Sequence, residues 1–327
     1  FLGDKFSTNS YLTLPLLISI ILSYSISSLG IPILKKIKWS QNIREKGPRS
    51  HIEKSGTPTM GGLLIIPIGI LVGNIFYFYQ SSNPQIVAIS FLTVSYMIIG
   101  VIDDWKGLTK NTNKGLSVKG KMFLQVISGL LFLYFCFIND WISPNINLFF
   151  NLSFNIGLLI WPLSLFVLVA ESNATNLTDG LDGLASGCGA LVFTGLAFHL
   201  RLSEEMNNIA LASFCIVMAG IWIGFLLNNY HPAKIFMGDT GSLAMGGALG
   251  GVALITNNLW PLLCMGGIFL AESLSVILQV TFFKINKKLY GKGKRMFLMA
   301  PIHHHFELKG IKEENIVTQF WLITLCL

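Results

Sequence analysis

The sequence predicts an all-α fold: a polytopic integral membrane protein whose ten helices cross the bilayer as a single transmembrane domain spanning residues 1–327. Three observations predict it. Of the 327 residues, 52% are hydrophobic and only 12% charged, with a mean hydropathy of +0.63. A soluble chain of that length would need far more polar side chains to cover its core. Apolar runs near twenty residues, roughly the length that crosses a bilayer, recur along the whole chain, and helices satisfy their backbone groups within lipid. Finally, 21 of the 23 Lys and Arg residues fall in alternate connections between those runs.

Taken in order, the spans are Tyr11–Leu34, Gly61–Tyr79, Ile86–Ile102, Met122–Ile138, Phe149–Val169, Leu181–Leu200, Ile209–Leu227, Ser242–Ile255, Leu259–Phe283 and a last one from Asn315. The first is longer than a secretory signal core and has no small-residue cleavage site, so it reads as a retained helix. The last reaches Leu327 short of a full crossing, and the chain is expected to continue. The odd-numbered connections carry seven (35–60), five (103–121), none (171–180), one (228–241) and eight (284–314) basic residues. The positive-inside rule therefore puts them in the cytoplasm and both termini outside. Topology accounts for the net charge of +7, which leaves no reason to infer a nucleic-acid partner. Cys136, Cys188, Cys215, Cys264 and Cys326 lie in apolar runs without a CxxC pair and read as packing residues.

The outward connections QSSNP, NDWISPNIN, LSEEMN and TNN are bland. Five of seven aspartates and five of six histidines lie at the inner connections or helix ends, which locates a polar cleft on the cytoplasmic face. The first inner connection contains HIEKSGTPTMGG, a stiff turn that brings Lys54 near the second span; a snorkelling lysine is the simpler reading. Asp103 and Asp104 close the third span at a helix C-terminus, where the macrodipole disfavours carboxylates. A hard divalent ion such as Mg²⁺ would compensate them, with Lys106 and Lys110 as alternative partners. Lys114, Lys119 and Lys121 follow, as membrane anchors or as phosphate contacts.

The stretch NATNLTDGLDGL, from Asn173 to Leu184, places Asn173, Asn176, Asp179 and Asp182 at intervals of three between two apolar runs. Helix capping explains either aspartate alone but not the set, and the glycines let a ligand approach the backbone. In NNYHPAKIFMGDTGS, Gly238 to Ser242 opens the eighth span and offers an anion site or a cap by Asp239. Phe236 packs as core or stacks on a planar base. The Gly246/Gly250 and Gly247/Gly251 pairs suggest close helix packing. Glu272 and Gln279 interrupt the ninth apolar run, where a polar residue marks function, a bend or an internal partner. In PIHHHFE, three consecutive histidines cannot readily converge on one ion, so His303, His304 and His305 read as phosphate donors, orienting groups or a surface turn.

GTPTMGG, the DD pair, NxxNxTDGLDGL, NNxHPAxxFMGDTGS and PxHHHFE, in this order over nearly the whole chain, resemble the phospho-N-acetylmuramoyl-pentapeptide transferases. DD and NxxNxxDGxDGL alone mark the wider polyprenyl-phosphate sugar-1-phosphate transferases; TPTMGG and PxHHHFE narrow the match. The resemblance implies a homodimer in the bacterial inner membrane with a bent ninth helix, a cytoplasmic active-site cleft and Mg²⁺. It also implies transfer of phospho-MurNAc-pentapeptide from UDP-MurNAc-pentapeptide to undecaprenyl phosphate, the first membrane step of peptidoglycan synthesis. By position, Asp103, Asp104 and Asp239 resemble the catalytic acidic triad and its metal ligands, Asp239 first. Lys54, Asn173, Asn176, Asp179, Asp182, Asn229 and Phe236 resemble the substrate wall, Lys121 a phosphate contact, and Gln279, His303, His304 and His305 further substrate contacts. Many relatives carry a lysine three positions after the DD pair where this chain has Gly107, with Lys106 one place earlier. A lipid phosphate with its second pKa near ~6 is already a competent nucleophile at neutral pH, so direct in-line attack is expected, with Asp103 available for a residual proton. A transferase of GlcNAc-1-phosphate to the same lipid is the nearest rival. A cation-coupled transporter is another, but it would place more carboxylates at mid-membrane depth than Glu272 alone.

Overall fold

The computed structural model describes residues 2–37, 39, 54, 56–80, 83–109, 115–148, 152–202 and 206–327. Within them the chain forms twelve α-helices and one small hairpin. The helices are α1 (Leu2–Lys36), α2 (Gly62–Gln80), α3 (Pro84–Thr109), α4 (Val118–Ile138), α5 (Ile160–Thr178), α6 (Leu184–Leu202), α7 (Met206–Asn229), α8 (Gly238–Ile255), α9 (Leu259–Met265), α10 (Gly267–Tyr290), α11 (Ile302–Leu308) and α12 (Glu313–Cys326). Seven of the described helices are long and apolar enough to cross a membrane. Lys110, Lys114 and His51 lie outside the described residues.

The predicted spans differ from these helices where polarity misled the reading. The fifth begins at Ile160 rather than Phe149. It follows an antiparallel pair of strands, β1 (Asn145–Asn147) and β2 (Ser153–Asn155), so the fold is not purely helical. Asn155, within the predicted run, lies in β2 rather than in the helix. At its other end α5 continues past Val169 to Thr178, because its polar side chains return bonds to their own helix. Asn173 Nδ2 donates to the Val169 carbonyl, Thr175 Oγ1 to that of Glu171, and Thr178 Oγ1 to that of Ala174. Asn173 and Asn176 are thus helical, and only Asp179 to Gly183 link α5 to α6. The third span likewise runs on beyond Asp104 to Thr109. The ninth is divided at Gly266 into α9 and α10.

The core is centred on α8, whose residues 240–255 are all buried. Its glycines explain how: a Cβ at Gly246 would meet the α5 backbone at Ser172 and Glu171, while Gly247 faces Tyr96 and Gly251 faces Leu92 of α3. The two glycine pairs are packing surfaces on opposite neighbours. Protein surrounds this helix, so it needs little apolar side-chain area of its own. Outside it, α7 packs between α1 and α6, with Ser23 Oγ donating 2.6 Å to the Ile221 carbonyl. All five cysteines are unpaired; Cys136, Cys188 and Cys215 are buried, whereas Cys326 is exposed.

Replacing Gly246 by Val should drive a branched side chain into the α5 backbone and destabilise the fold by about 3 kcal/mol or more. Thermal unfolding followed by size-exclusion chromatography in detergent measures it, and an unchanged midpoint would contradict the packing described.

Candidate active site

The connections before α2, between α5 and α6, and between α7 and α8, together with the last turns of α3, converge at one end of the bundle. They enclose a cavity of about 190 Å³ lined by Lys54, Asp104, Asn176, Asp179, Asp182, Asn229, Phe236 and Asp239, among others. The TPTMGG turn is laid along the start of α8: Phe236 N–H donates to the Pro58 carbonyl at 2.8 Å, and Gly61 and Gly62 N–H to the carbonyls of Phe236 and Met237. Buried Met60 sits in this turn at a φ of 67°, a strained left-handed conformation for a side chain that size.

One end of the cavity is acidic. Asp104 accepts hydrogen bonds from Asp239 N–H (3.2 Å), Thr240 N–H (3.0 Å) and Thr240 Oγ1 (2.6 Å). It therefore caps the N-terminus of α8, where the helix dipole favours an anion. The sequence offered a divalent ion, Lys106 or Lys110 as compensation for Asp104; this helix end supplies donors to it as well, and among the described residues no ion pair joins Lys106 to either aspartate. Gly238, at φ 70°, permits the tight entry; a Cβ there would lie 2.5 Å from the Asp104 carboxylate. Asp103 accepts from Leu116 N–H at 2.8 Å and lies in electrostatic contact with Asp239 and Lys121. Asp239 takes an ion pair from Lys121 Nζ and a 2.7 Å bond from Asn176 Nδ2. Lys121 is thus brought to the acidic end, although it does not line the cavity.

The opposite wall is a network. Lys54 Nζ donates to Asp182 Oδ1 (2.7 Å) and Glu313 Oε1 (2.6 Å). Asp182 Oδ2 accepts from Ala233 N–H at 3.0 Å and lies 3.1 Å from His231 Nδ1. Asp182 therefore does not cap α6. Burial opposes the Lys54 charge, but Asp182 and Glu313 together outweigh it and raise the pKa above the ordinary lysine value. Burial raises the Asp179 pKa well above the carboxylate norm, and the charges of Asp239, Asp104 and Asp182 add to that rise.

Several predicted contacts face elsewhere. Asn173 donates to Gln125 Oε1 at 3.1 Å, within the α4–α5 packing. Asn229 borders the cavity, but its amide is engaged by Gly183 N–H, Ser186 Oγ and the Ile235 carbonyl. Gln279 pins the segment after α10 through Met296 N–H, Phe297 N–H and the Phe297 carbonyl. The PIHHHFE stretch is helical rather than a turn. His303 is buried with its Nδ1 3.1 Å from Glu272 Oε1, His304 Nδ1 lies 2.6 Å from Glu307 Oε2, and His305 Nδ1 accepts from Leu298 N–H. None of the three lines the cavity, but the His303 ring fills the space behind Gly180, in the cavity wall. Glu313 and His231 were not foreseen. Glu313 sits in a polar KEEN run that reads as an ordinary helix start, and His231 in a loop where nothing distinguishes it. Asp182, His231 and Glu313 are the group of potential ligand atoms found within 4.8 Å of one another among the described residues, and Lys54 already supplies their cation.

Glycosyl transferase family 4 matches residues 86–257, and the phospho-N-acetylmuramoyl-pentapeptide-transferase signature 1 matches residues 54–66. A phospho-N-acetylmuramoyl-pentapeptide-transferase of Prochlorococcus marinus is 58% identical over 99% of this chain and 88% of its own length. The chain belongs to the phospho-N-acetylmuramoyl-pentapeptide-transferase family. Members from Synechococcus sp. (strain CC9605) and Synechococcus elongatus are 55% and 47% identical, over 99% and 95% of this chain and 93% and 85% of theirs. The signature of this transferase family begins at Lys54 and contains the turn that lies on α8.

Two outcomes follow for the acidic residues. Asp104→Asn keeps an oxygen to cap α8 and should preserve the fold, whereas Asp104→Ala should cost about 1–2 kcal/mol in thermal unfolding. Because the folded-state pKa of Asp179 is raised, ionising it costs stability as pH rises. Asp179→Asn should therefore unfold at higher temperature than the parent at about pH 8 and lose that advantage only below about pH 3.5, where the parent's carboxyl is neutral in the unfolded chain as well as in the folded one.

Proposed function

We propose that this chain transfers phospho-MurNAc-pentapeptide from UDP-MurNAc-pentapeptide to undecaprenyl phosphate, releasing UMP and forming the first lipid-linked intermediate of peptidoglycan synthesis. The observation that carries this reading is the union, in one cavity of a membrane bundle, of an acidic end, backed by Lys121 on Asp239, and a polar wall bearing an aromatic ring. Family membership supports the same reaction. The reading places the cavity at the cytoplasmic face of the bacterial inner membrane, with both termini outside. The ten crossings are α1 to α8, the α9–α10 pair and α12, forming one catalytic domain that acts as a homodimer.

The residues fit a hard divalent cation. Oxygen donors of Asp103 and Asp239 adjoin one another, with Lys121 as the neighbouring counter-cation among the described residues, and Mg²⁺ suits such ligands. Asp239 and Asp103 would hold it, while Asp104, its oxygens engaged by the start of α8, orients Asp239. Bound there, the ion would supply Lewis-acid stabilisation of phosphate charge. Lys121 offers its ammonium to the pyrophosphate, and Phe236 offers a ring face to the uracil. Asn176 holds Asp239 in place, and Asp103 can accept a residual proton from the lipid phosphate. A dianionic lipid phosphate needs no stronger base, so the transfer is a direct in-line displacement at the phosphorus nearer the sugar. The phosphate–phosphate bond forms as UMP leaves.

UMP release in the presence of undecaprenyl phosphate tests this. It should occur with UDP-MurNAc-pentapeptide but not UDP-GlcNAc, stop with EDTA and return with Mg²⁺, and fall about 10²- to 10³-fold in Asp239→Ala. Activity only with UDP-GlcNAc, or with neither donor, would overturn the assignment; a trapped phosphorylated enzyme in the absence of lipid would overturn the direct route.

A further inference from the structure

The last helix reaches into the cavity wall by a contact that the reaction outlined above does not use. Glu313, in the first turn of α12, directs one carboxylate oxygen at two donors. Its Oε1 accepts from Lys54 Nζ at 2.6 Å and from the Asp182 backbone N–H at 2.7 Å. Its Oε2 is buried without a hydrogen bond, 3.6 Å from His231 Nδ1. Further along α12, Trp321 Nε1 donates to the Gly183 carbonyl at 3.2 Å, and a Cβ on Gly187 would collide with the same indole. The helix therefore grips Asp182, in the cavity wall, through its N–H and the next residue, Gly183, through its carbonyl.

An acidic residue in the first turn of a helix is ordinarily explained by the dipole. That explanation covers the neighbouring Glu314 equally well, but Glu314 is exposed and its carboxylate makes none of these contacts. Glu313 instead turns away from its own helix to meet a lysine 259 positions earlier in the chain. Lys54 is shielded from water, with its ammonium between two carboxylates. Removing one carboxylate leaves a desolvated cation half-compensated, and the flexible lysine chain would then swing toward solvent or lose its proton.

We propose that Glu313 is a positioning residue of this wall: its carboxylate holds the Lys54 ammonium against Asp182 and fixes the Asp182 peptide that borders the cavity. The inference rests on the reading of this wall as the side that receives the UDP-linked donor. Glu313 itself touches no reacting atom, and its effect passes through Lys54 and Asp182.

The test uses the full chain in lipid nanodiscs, as Glu313→Gln, Glu313→Ala, Glu313→Asp and the control Glu314→Ala. A short pulse of acetic anhydride, read by mass spectrometry of the Lys54 peptide, should label Lys54 about threefold faster in the Gln and Ala variants. The Glu314→Ala variant should match the parent. In steady-state kinetics, Glu313→Ala should raise KM for UDP-MurNAc-pentapeptide about tenfold, leave KM for undecaprenyl phosphate unchanged, and be largely rescued by Glu313→Asp. Unchanged Lys54 labelling overturns the inference whatever the substrate proves to be. A lower kcat with unchanged donor KM also overturns it, since that is the mark of a purely structural role. If the unaltered chain does not turn over UDP-MurNAc-pentapeptide, the functional reading fails separately, and the labelling result still decides whether Glu313 holds Lys54.

Discussion

The contact on which the rest of the site depends is that between the Asp104 carboxylate and the first turn of α8. A carboxylate near the end of one helix meets the exposed N–H groups at the start of another, so each helix supplies what the other lacks. Binding the N–H groups of residues 239 and 240 sets the backbone from which the Asp239 side chain departs. Gly100, one turn earlier on α3, lets the two backbones touch at this point. Lys121 and Asn176 then reach Asp239 from α4 and α5. Four helices are thereby registered on one acidic side chain.

Much of this was legible in the sequence because the membrane reduces the problem to apolar runs and loop charge. The alternation of basic loops predicts a common face for Lys54, Asp104, Asn176, Asp179, Asp182, Asn229, Phe236 and Asp239, and the structure gathers these residues in one cavity. What remained illegible was the use of each polar side chain. Asn173, Asn229 and Gln279 carry the same amide that could bind a ligand, but folding engages them with Gln125, Ser186 and Phe297, respectively. A sequence shows that an amide is present without showing which partner reaches it first. Glu313 posed the converse difficulty, since its identity as a helix-start acid hid a partner far away in the chain.

The intramembrane Glu272 and the histidine run illustrate a related point. Each looked like a separate functional signal, and the fold joins them: His303 Nδ1 faces Glu272 Oε1 at 3.1 Å, with both side chains fully buried. The approach offsets part of the cost of burying two polar groups in an apolar setting, although neither the Glu272 oxygens nor the His303 ring nitrogens make a hydrogen bond there. Because the His303 ring also backs Gly180, a pair that sequence would place in two distant elements supports the loop carrying Asp179 and Asp182.

The glycine-lined packing of α8 also bears on motion. A helix pressed backbone to backbone against its neighbours has no side-chain layer to absorb a shift, so sliding it by even a fraction of a turn would force atoms together. The acidic end is consequently built on a stator.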